Sequence, residues 1–462
     1  MVRVIGSELA DTSSMRKITS LLSLSVSLAA TLVGCQSAEP QGDEDNPFTQ
    51  NMDNDGKEDS AYMNPDGREV EVDLEGDVEG AAAYQLADAP AMIGQYALTY
   101  FRKQEKMYIE SLAEDASSDK RVEWQINGRW YTADRVPAGS VRKHWRLTGL
   151  NAVMLFANAK TVKVGDVLTA KVPLKPFSVF ADAGDKCADD DDHIGLDTSV
   201  YWYRWLPEQA SCTIALQDLN VKVSKVFDQT TTAAANKRYP EYNQLTADGK
   251  MTAVIMFGQI DDGAITASET GMRAFDQYAR WLKAAKYKEV TATVGKRFEL
   301  ITNGITVQID LYSPKDFSGL SDYAHFANFQ KAIGEHEIVA WDGHSMLGAS
   351  DFWARPTYPS TYQIFLYGGC LGYEYYVKPI LHGKGDSWAK LDLMSSVIEV
   401  TANANEFAAP AIAKMVWALS HGNRASWRDI LTTVRSNVGD STFGVSGARD
   451  NCFTPTGSRC TN

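Results

Sequence analysis

The feature that most constrains the fold is an alternation of apolar, strand-like runs and amphipathic helical segments in residues 251–462. Residues 252–260 are typical of a buried strand, and residues 269–285 follow with apolar side chains at helical spacing. A later helix is predicted to begin at Ser426, with Asp429 as the acidic third residue. Because alternating strands and helices build parallel sheets covered on both faces, we expect an α/β domain with a mostly parallel sheet.

The residues before this segment have a different pattern. Residues 81–235 contain alternating polar and apolar runs that are typical of strands, such as 121–126, 162–172 and 198–205, separated by turn signals that include Asn127-Gly128. We expect a β-rich domain here, with a β-sandwich as one candidate arrangement. The polar residues 236–250 are predicted to link the two parts. Two domains are the natural division, since about 380 folded residues exceed what one core usually holds.

The N-terminal segment is typical of an exported protein. A basic start at Arg16-Lys17 precedes an apolar stretch that ends at Gly34 and Cys35. Leu32-Val33-Gly34-Cys35 resembles the bacterial lipobox, whose cysteine becomes the lipidated N-terminus. The alternatives are an ordinary signal peptide or a short membrane anchor, although a span needs about 20 apolar residues. We expect residues 1–35 to be a signal peptide with lipidation at Cys35, and the protein to be anchored by that lipid alone in the bacterial cell envelope, at the outer membrane or cell surface.

Most of the negative charge of the chain lies directly after this cysteine. Residues 36–80 contain fifteen Asp or Glu but only Lys57 and Arg68 as basic residues, whereas the whole chain has a net charge of −14. Acidic, aromatic-poor segments bury too little apolar surface to fold, and self-repulsion extends them. We therefore expect residues 36–80 to form a disordered tether. The acidity also argues against a nucleic-acid partner.

The six cysteines suit an oxidising compartment. They are Cys35, Cys187, Cys212, Cys370, Cys452 and Cys460. If the lipid uses the first, the pairs 187/212 and 452/460 are candidate disulfides, and Cys370 remains as a thiol. Spacing alone does not determine the pairing, so a disulfide between Cys370 and one of the others is the alternative.

Two reactive side chains follow predicted neighbouring strands. His344 comes after the apolar run that starts near Ile338, and Cys370 comes after residues 362–367. The carboxyl ends of parallel strands meet at one sheet edge, where the imidazole can act as a base for the thiol. A helix predicted at residues 373–381 would favour the thiolate. Backbone N–H groups around Gly343, Ser345 and Gly369 are candidates for an oxyanion hole.

These residues resemble the caspase-like, or clan CD, cysteine peptidases, which include caspases, gingipains and legumains. In that family one strand ends in a histidine that a glycine follows, and the next, mostly apolar strand ends in a small residue and the nucleophilic cysteine. Val339-Ala-Trp-Asp-Gly-His344 and Ile364-Phe-Leu-Tyr-Gly-Gly-Cys370 follow this order. The resemblance implies a caspase-like fold over residues 251–462, a His344/Cys370 dyad and a peptide or protein substrate. Two departures stand out: Ser345 replaces a glycine, and Gly369 stands where alanine or serine is usual.

Two further functions remain open. A surface lipoprotein that keeps the fold without the activity would use it for binding. A serine esterase would use Ser345, because Gly343-His-Ser-Met-Leu-Gly348 is close to the lipase elbow but has one inserted residue. Asp386 or Asp392 and His421 are then the candidate partners. Asp342 and Glu374 are carboxylates that orient the imidazole, select a basic substrate side chain, or simply belong to loops. The histidines have no metal-ligand spacing, so we assign neither a metal nor a cofactor.

Overall fold

The computed structural model describes residues 62–109, 121–190, 201–227, 237–316, 323–345, 351–398, 400, 407–439 and 442–460. The predicted signal peptide, Cys35 and the first part of the predicted tether lie outside the described residues. The described residues contain two large β-sheets, which we call the first sheet and the second sheet, and a small C-terminal hairpin.

The first sheet is antiparallel and seven-stranded, with the order β4-β3-β5-β1-β7-β6 and β2 paired to β5. Its strands are β1 (Gly67–Asp77), β2 (Tyr108–Ile109), β3 (Val122–Ile126), β4 (Arg129–Thr132), β5 (His144–Leu155), β6 (Val167–Pro173) and β7 (Leu216–Val226). The helices of this part are α1 (Ala89–Lys103), α2 (Phe156–Thr161) and α3 (Val179–Ala183), and 3₁₀ turns span Ala83–Gln85, Ala133–Arg135, Pro176–Ser178 and Tyr201–Arg204.

Strand β1 corrects the predicted tether. It lies between β5 and β7, in the middle of the first sheet, so the prediction of disorder through residue 80 is wrong at its C-terminal end. The physical reason is alternation: Val70, Val72 and Leu74 are fully buried, while acidic residues occupy the positions between them. Averaging the charge over residues 36–80 conceals this two-residue period.

Helix α1 replaces the second layer of the predicted sandwich. The described strands between residues 62 and 227 all belong to the first sheet, so the sandwich arrangement is wrong for this part. Helix α1 is apolar on almost every side and is buried from Ala89 to Arg102. It contacts β5 and β6, and thus covers the sheet where a second sheet would otherwise lie.

The second sheet is mixed and has eight strands in the order β15-β14-β13-β12-β8-β11-β10-β9. Its strands are β8 (Lys250–Phe257), β9 (Lys288–Val290), β10 (Lys296–Thr302), β11 (Ile305–Tyr312), β12 (Ile338–Asp342), β13 (Gln363–Tyr367), β14 (Leu391–Ser396) and β15 (Phe443–Ser446). Five neighbours, β11-β8-β12-β13-β14, run parallel, whereas β9, β10 and β15 are antiparallel to their partners. The predicted α/β part with a mostly parallel sheet is therefore present.

The helices around the second sheet follow from local signals. They are α4 (Tyr242–Leu245), α5 (Thr270–Ala284), α6 (Tyr323–Glu335), α7 (Asp351–Ala354), α8 (Gly372–Tyr375), α9 (Val377–Gly383), α10 (Ala408–Leu419) and α11 (Trp427–Val438), with a 3₁₀ turn at Trp388–Lys390 and the hairpin β16 (Phe453–Thr454) and β17 (Gly457–Ser458). The Ser426 hydroxyl accepts the Asp429 N–H at the start of α11, as the sequence predicts. Asn303-Gly304 forms the predicted turn between β10 and β11.

The predicted linker is packed rather than extended. Tyr242 of α4 is fully buried and its hydroxyl donates to the Ala425 carbonyl over 3.0 Å. The Trp427 N–H donates to the Arg238 carbonyl at 2.8 Å. Residues 237–250 therefore form part of the fold beside the N-terminus of α11.

The strand order places a topological switch point at the carboxyl edge of the second sheet. The chain leaves β8 toward β11 and returns on the other side of β8 at β12. In doubly wound sheets, ligands bind outside the carboxyl ends of the strands at such a switch point. The loops after β8, β12 and β13 are consequently the first place to look for chemistry.

Two disulfides confirm the predicted cysteine pairs. Cys187 is bonded to Cys212 with Cα atoms 4.7 Å apart, and Cys452 is bonded to Cys460 with Cα atoms 5.2 Å apart. Cys370 belongs to neither bond. Among the described residues, none of the helices has the length and apolar character needed to span a bilayer.

Candidate active site

His344 lies at the carboxyl edge of β12, beside the loop that follows β8. Gly343 turns the chain out of the strand, and an added Cβ there would lie 2.9 Å from the Gly258 Cα, so a larger residue would separate the two loops. The Trp341 indole N–H donates to the His344 carbonyl at 2.9 Å and fixes the backbone.

The ring of His344 is oriented by a main-chain carbonyl. Its Nε2 lies 2.9 Å from the Ile260 oxygen, in the loop after β8. A carbonyl oxygen only accepts, so Nε2 carries the hydrogen. In the neutral ring Nδ1 is then the basic nitrogen. Ile260 gave no signal in the sequence beyond its place at the end of an apolar run.

Cys370 lies on the loop after the adjacent strand β13. The Gly368 N–H donates to the Trp341 carbonyl at 2.9 Å, so the ladder between β12 and β13 extends to the start of this loop. The Cys370 Sγ accepts the Val400 N–H at 3.4 Å and lies 3.6 Å from the Val400 carbonyl oxygen. An N–H donor at sulfur favours negative charge there. Val400, beyond β14, was not predicted as a site residue.

The loops that carry His344 and Cys370 touch through their neighbours. An added Cβ at Gly369 would lie 2.9 Å from the Ser345 Cα and 2.8 Å from the Tyr367 ring, so no alanine fits without a shift. The Tyr367 hydroxyl donates to the Ser345 carbonyl at 3.2 Å. The unusual glycine before Cys370 thus has a physical reason, namely the close approach of the two loops.

Leu371 bends the chain sharply after the cysteine. Its backbone is left-handed, with φ 54° and ψ 35°, and its side chain is fully buried. This conformation is costly for a residue with a Cβ and persists only where the surroundings impose it. The Leu371 N–H donates to the Ile398 carbonyl at 3.0 Å, and the Leu371 carbonyl accepts from Glu374 and Tyr375. With no glycine to mark it, the sequence did not predict this turn.

The helix predicted at residues 373–381 is in fact two short ones. Helix α8 spans Gly372–Tyr375, and α9 begins at Val377. A four-residue helix has a weak dipole, because the effect grows from aligned peptides over several turns. The Val400 N–H is therefore a better candidate than the helix for stabilising a thiolate.

The structure separates Ser345 from its predicted triad partners. Ser345 follows the carboxyl end of β12, whereas Asp392 pairs with the second residue of β13, at the opposite edge of the sheet. His421 follows α10, whose Leu419 carbonyl accepts from Asn303 in the turn before β11. The His421 Nδ1 faces the Trp417 carbonyl at 2.7 Å. The geometry therefore offers Ser345 neither of these partners.

Asp392 instead belongs to a buried structural network. Its Oδ2 accepts from the Tyr362 hydroxyl, the Trp427 indole and the Asn451 amide, each at 2.6 Å. Burial raises the pKa of this carboxyl from 3.8 to about 7. The network joins β14, α11 and the segment before the Cys452–Cys460 bond.

This raised pKa predicts the pH dependence of folding. Between about pH 4 and 7, Asp392 is more often protonated in the folded protein than in the unfolded chain. Its contribution to the free energy of unfolding is therefore full below pH 4 and declines by about 1.4 kcal/mol per pH unit until about pH 7. The difference in free energy of unfolding between the wild type and Asp392→Asn, measured with urea from pH 4 to 8, is expected to show this slope. A difference that stays constant with pH would contradict the assignment.

Glu374 and Asp342 are both buried. A Glu374 oxygen lies 3.3 Å from the Arg102 guanidinium of α1, so the buried ion pair gives this carboxylate a structural role. Asp342 ends β12 and its carbonyl accepts the Gly258 N–H at 2.8 Å. Within the described ranges, the acidic, histidine and cysteine side chains form no group of three or more suited to a metal ion.

No family model matches the chain, and neither a curated protein nor a solved structure matches it significantly.

Proposed function

We propose that this chain is a cysteine peptidase that uses His344 and Cys370. One observation carries the proposal: two adjacent parallel strands deliver the imidazole and the thiol to one edge of the sheet, on loops that touch through Ser345 and Gly369. A histidine after one strand and a cysteine after the next is the order that the resemblance to caspase-like peptidases implies. A thiol with a nearby oriented base is the arrangement required for acyl transfer.

In the proposed reaction His344 acts first as a base and then as an acid, and Cys370 acts first as the nucleophile and later as the leaving group. Nδ1 of His344 takes the Cys370 proton, and the sulfur attacks the acyl carbon while the carbonyl electrons move to oxygen. N–H groups around Gly343, Ser345 and Gly369 are the proposed donors to that oxygen. The C–N bond then breaks and the imidazolium protonates the leaving amine. Water, deprotonated by His344, attacks the thioester, and the thiol returns.

The Ile260 carbonyl supports the assignment of His344 as the base. It holds Nε2–H at 2.9 Å, which keeps Nδ1 as the proton acceptor and stabilises the imidazolium that forms. A main-chain oxygen thus takes the orienting place that an aspartate has in many triads.

A binding lipoprotein without activity is the second candidate. The observation that favours it is the contact of Sγ with both the N–H and the carbonyl of Val400, which satisfies the thiol in the resting protein. In this reading the loops around β12 and β13 serve as a binding face. The thiol would then react no faster than an ordinary cysteine.

Alkylation of Cys370 by iodoacetamide separates the two functions. In the peptidase, the thiol of the wild type is expected to react at pH 6 about a hundredfold faster than in His344→Ala, because an ordinary thiol with a pKa near 8.5 is below about 1 % ionised there. His421→Ala is the matched control, since that ring is exposed and lies at the end of α10. Peptide mass spectrometry locates the label.

Equal rates in the wild type and in His344→Ala would reject the dyad and leave the binding function. A rapid, His344-dependent rate would justify screening a peptide library, with Cys370→Ala as the inactive reference. Labelling of Ser345 by a serine-directed phosphonate would support the serine esterase hypothesis instead.

We propose that the protein is held in the bacterial cell envelope by a lipid on Cys35. The lipobox-like residues support this, and the two disulfides fit an oxidising compartment. Cys35→Ser is expected to move the protein from the membrane fraction to the soluble or secreted fraction. Retention of this variant on the membrane would show that another element anchors the chain.

A further inference from the structure

The loop that orients His344 is itself held by a buried carboxylate. Glu269 precedes α5 and is almost fully buried. Its Oε1 accepts the Ile260 N–H at 2.6 Å and the Asp261 N–H at 3.2 Å. Its Oε2 accepts the Met272 N–H at 2.8 Å and so caps the helix. Both oxygens act as acceptors, as they do in a carboxylate.

One peptide group connects this carboxylate with the imidazole. The Ile260 carbonyl and the Asp261 N–H belong to the same planar trans peptide, so they point in opposite directions. Glu269 accepts at the N–H end, and Nε2–H of His344 donates at the carbonyl end. A negative charge at the N–H end polarises the peptide and makes its oxygen a stronger acceptor.

The same loop is braced from a second direction. The Asp261 carboxylate accepts from the N–H and the hydroxyl of Thr270, each at 2.8 Å. A Cβ added at Gly271 would collide with the Gly258 carbonyl oxygen, so the first turn of α5 packs directly on the end of β8. The first turn of α5 therefore supports the loop after β8 that orients His344.

We propose that Glu269 is a positioning residue for His344. Through the Ile260–Asp261 peptide it holds the ring in the Nε2–H form and keeps Nδ1 as the basic nitrogen. The role of this nitrogen as a base rests on the proposed peptidase function; the effect on the ring tautomer does not. Glu269 touches no reacting atom and acts only through the main chain.

Two variants separate this role from helix capping. Glu269→Gln keeps the shape but replaces one acceptor oxygen by an NH₂ group. Glu269→Asp keeps a carboxylate that caps helices well, but one methylene shorter, so it cannot reach Met272 and the Ile260 loop together. Asp276→Asn is the matched control, because this half-buried carboxylate lies on the same helix and pairs with Lys296.

The decisive readout is the ¹⁵N NMR signal of the His344 ring in full-length protein labelled at histidine, assigned by its loss in His344→Ala. The wild type and Asp276→Asn are expected to show the Nε2–H tautomer. In Glu269→Gln and Glu269→Asp the ratio of Nε2–H to Nδ1–H is expected to fall about tenfold, as for the loss of a charge-assisted hydrogen bond. Circular dichroism confirms that each variant is folded.

The alkylation rate of Cys370 tests the two proposals separately. If the peptidase function holds, both Glu269 variants are expected to react about tenfold more slowly at pH 6 than Asp276→Asn, in line with the weakened hydrogen bond. A wild-type thiol of ordinary reactivity would defeat the peptidase function, yet the tautomer shift would still establish the positioning role. An unchanged tautomer ratio in a folded Glu269 variant would overturn the inference, whatever the alkylation rates. If Glu269→Gln does not fold, Glu269→Asp decides.

Discussion

A chain that begins at residue 81 is expected to remain unfolded, whereas a chain that begins at Tyr62 is expected to fold like the full-length protein. The shorter chain lacks β1, whose loss exposes the edges of β5 and β7 in the middle of the first sheet. It also lacks Tyr62, Val70, Val72 and Leu74, all buried, each worth about 1.5–3 kcal/mol. Their sum approaches the whole stability of a typical protein, about 5–15 kcal/mol.

The residues before β1 also reach the second sheet. The Tyr62 hydroxyl donates to the Thr442 carbonyl at 2.7 Å, and Met63 and Val445 exchange backbone hydrogen bonds. Removing residues 62–80 therefore affects both sheets, and the loss is expected to be global. Near-ultraviolet circular dichroism and urea titration of the two chains measure it.

A point variant distinguishes burial in β1 from mere deletion. Val72→Asp places a charge in the core and is expected to unfold the protein, while Glu75→Gln, on the exposed side of the same strand, is expected to change stability by less than about 0.5 kcal/mol. If the chain from residue 81 melted cooperatively at the same temperature as the full-length protein, residues 62–80 would not be needed for folding. The sequence-based prediction of a tether that extends to residue 80 would then stand.

Replacing Arg102 by methionine is expected to lower the free energy of unfolding by about 3–5 kcal/mol. The guanidinium of Arg102 lies 3.3 Å from a Glu374 oxygen, and both side chains are almost completely buried. It also lies over the Tyr203 ring, 5.0 Å from the centroid. Removal of the arginine leaves the Glu374 charge in the core, and the cost of that unpaired carboxylate dominates the effect.

The pair has a further consequence because of where Glu374 lies. Helix α8 carries it, directly after the left-handed Leu371 and four residues beyond Cys370. Helix α1, which packs on the first sheet, thus supports the turn that follows Cys370. Arg102→Met is expected to change the alkylation rate of Cys370 as well as the stability, and the same mass-spectrometric assay reports it.

Two controls sharpen this prediction. Lys331→Met removes the half-buried partner of the exposed Glu335 four residues away on α6, and is expected to cost less than about 0.5 kcal/mol. The double variant Arg102→Met/Glu374→Leu is expected to recover most of the lost stability, because no charge remains buried. A loss below about 1 kcal/mol in Arg102→Met would contradict the expected cost of leaving the buried Glu374 carboxylate unpaired.

Local periodicity was sufficient to predict the framework of the candidate site. Apolar runs of strand length separated by amphipathic helices predicted the parallel core, and hence the placement of His344 and Cys370 at one sheet edge. The cap at Ser426 and the turn at Asn303-Gly304 were equally readable, since each depends on residues close together in the chain. These features need only short-range sequence information.

Features that depend on contacts between distant residues were decided by the tertiary structure. Of the strand predicted at residues 198–205, the described residues Tyr201–Arg204 form a 3₁₀ turn instead, packed beside the Cys187–Cys212 bond. Leu371 adopts a left-handed turn without a glycine, because buried neighbours hold it.

The orientation of His344 depends on Ile260 and Glu269, more than 70 residues away in the chain. Sequence alone determined which groups are present and at which edge they lie. Their hydrogen-bond partners follow from the folding of distant segments against each other, which short-range patterns do not encode.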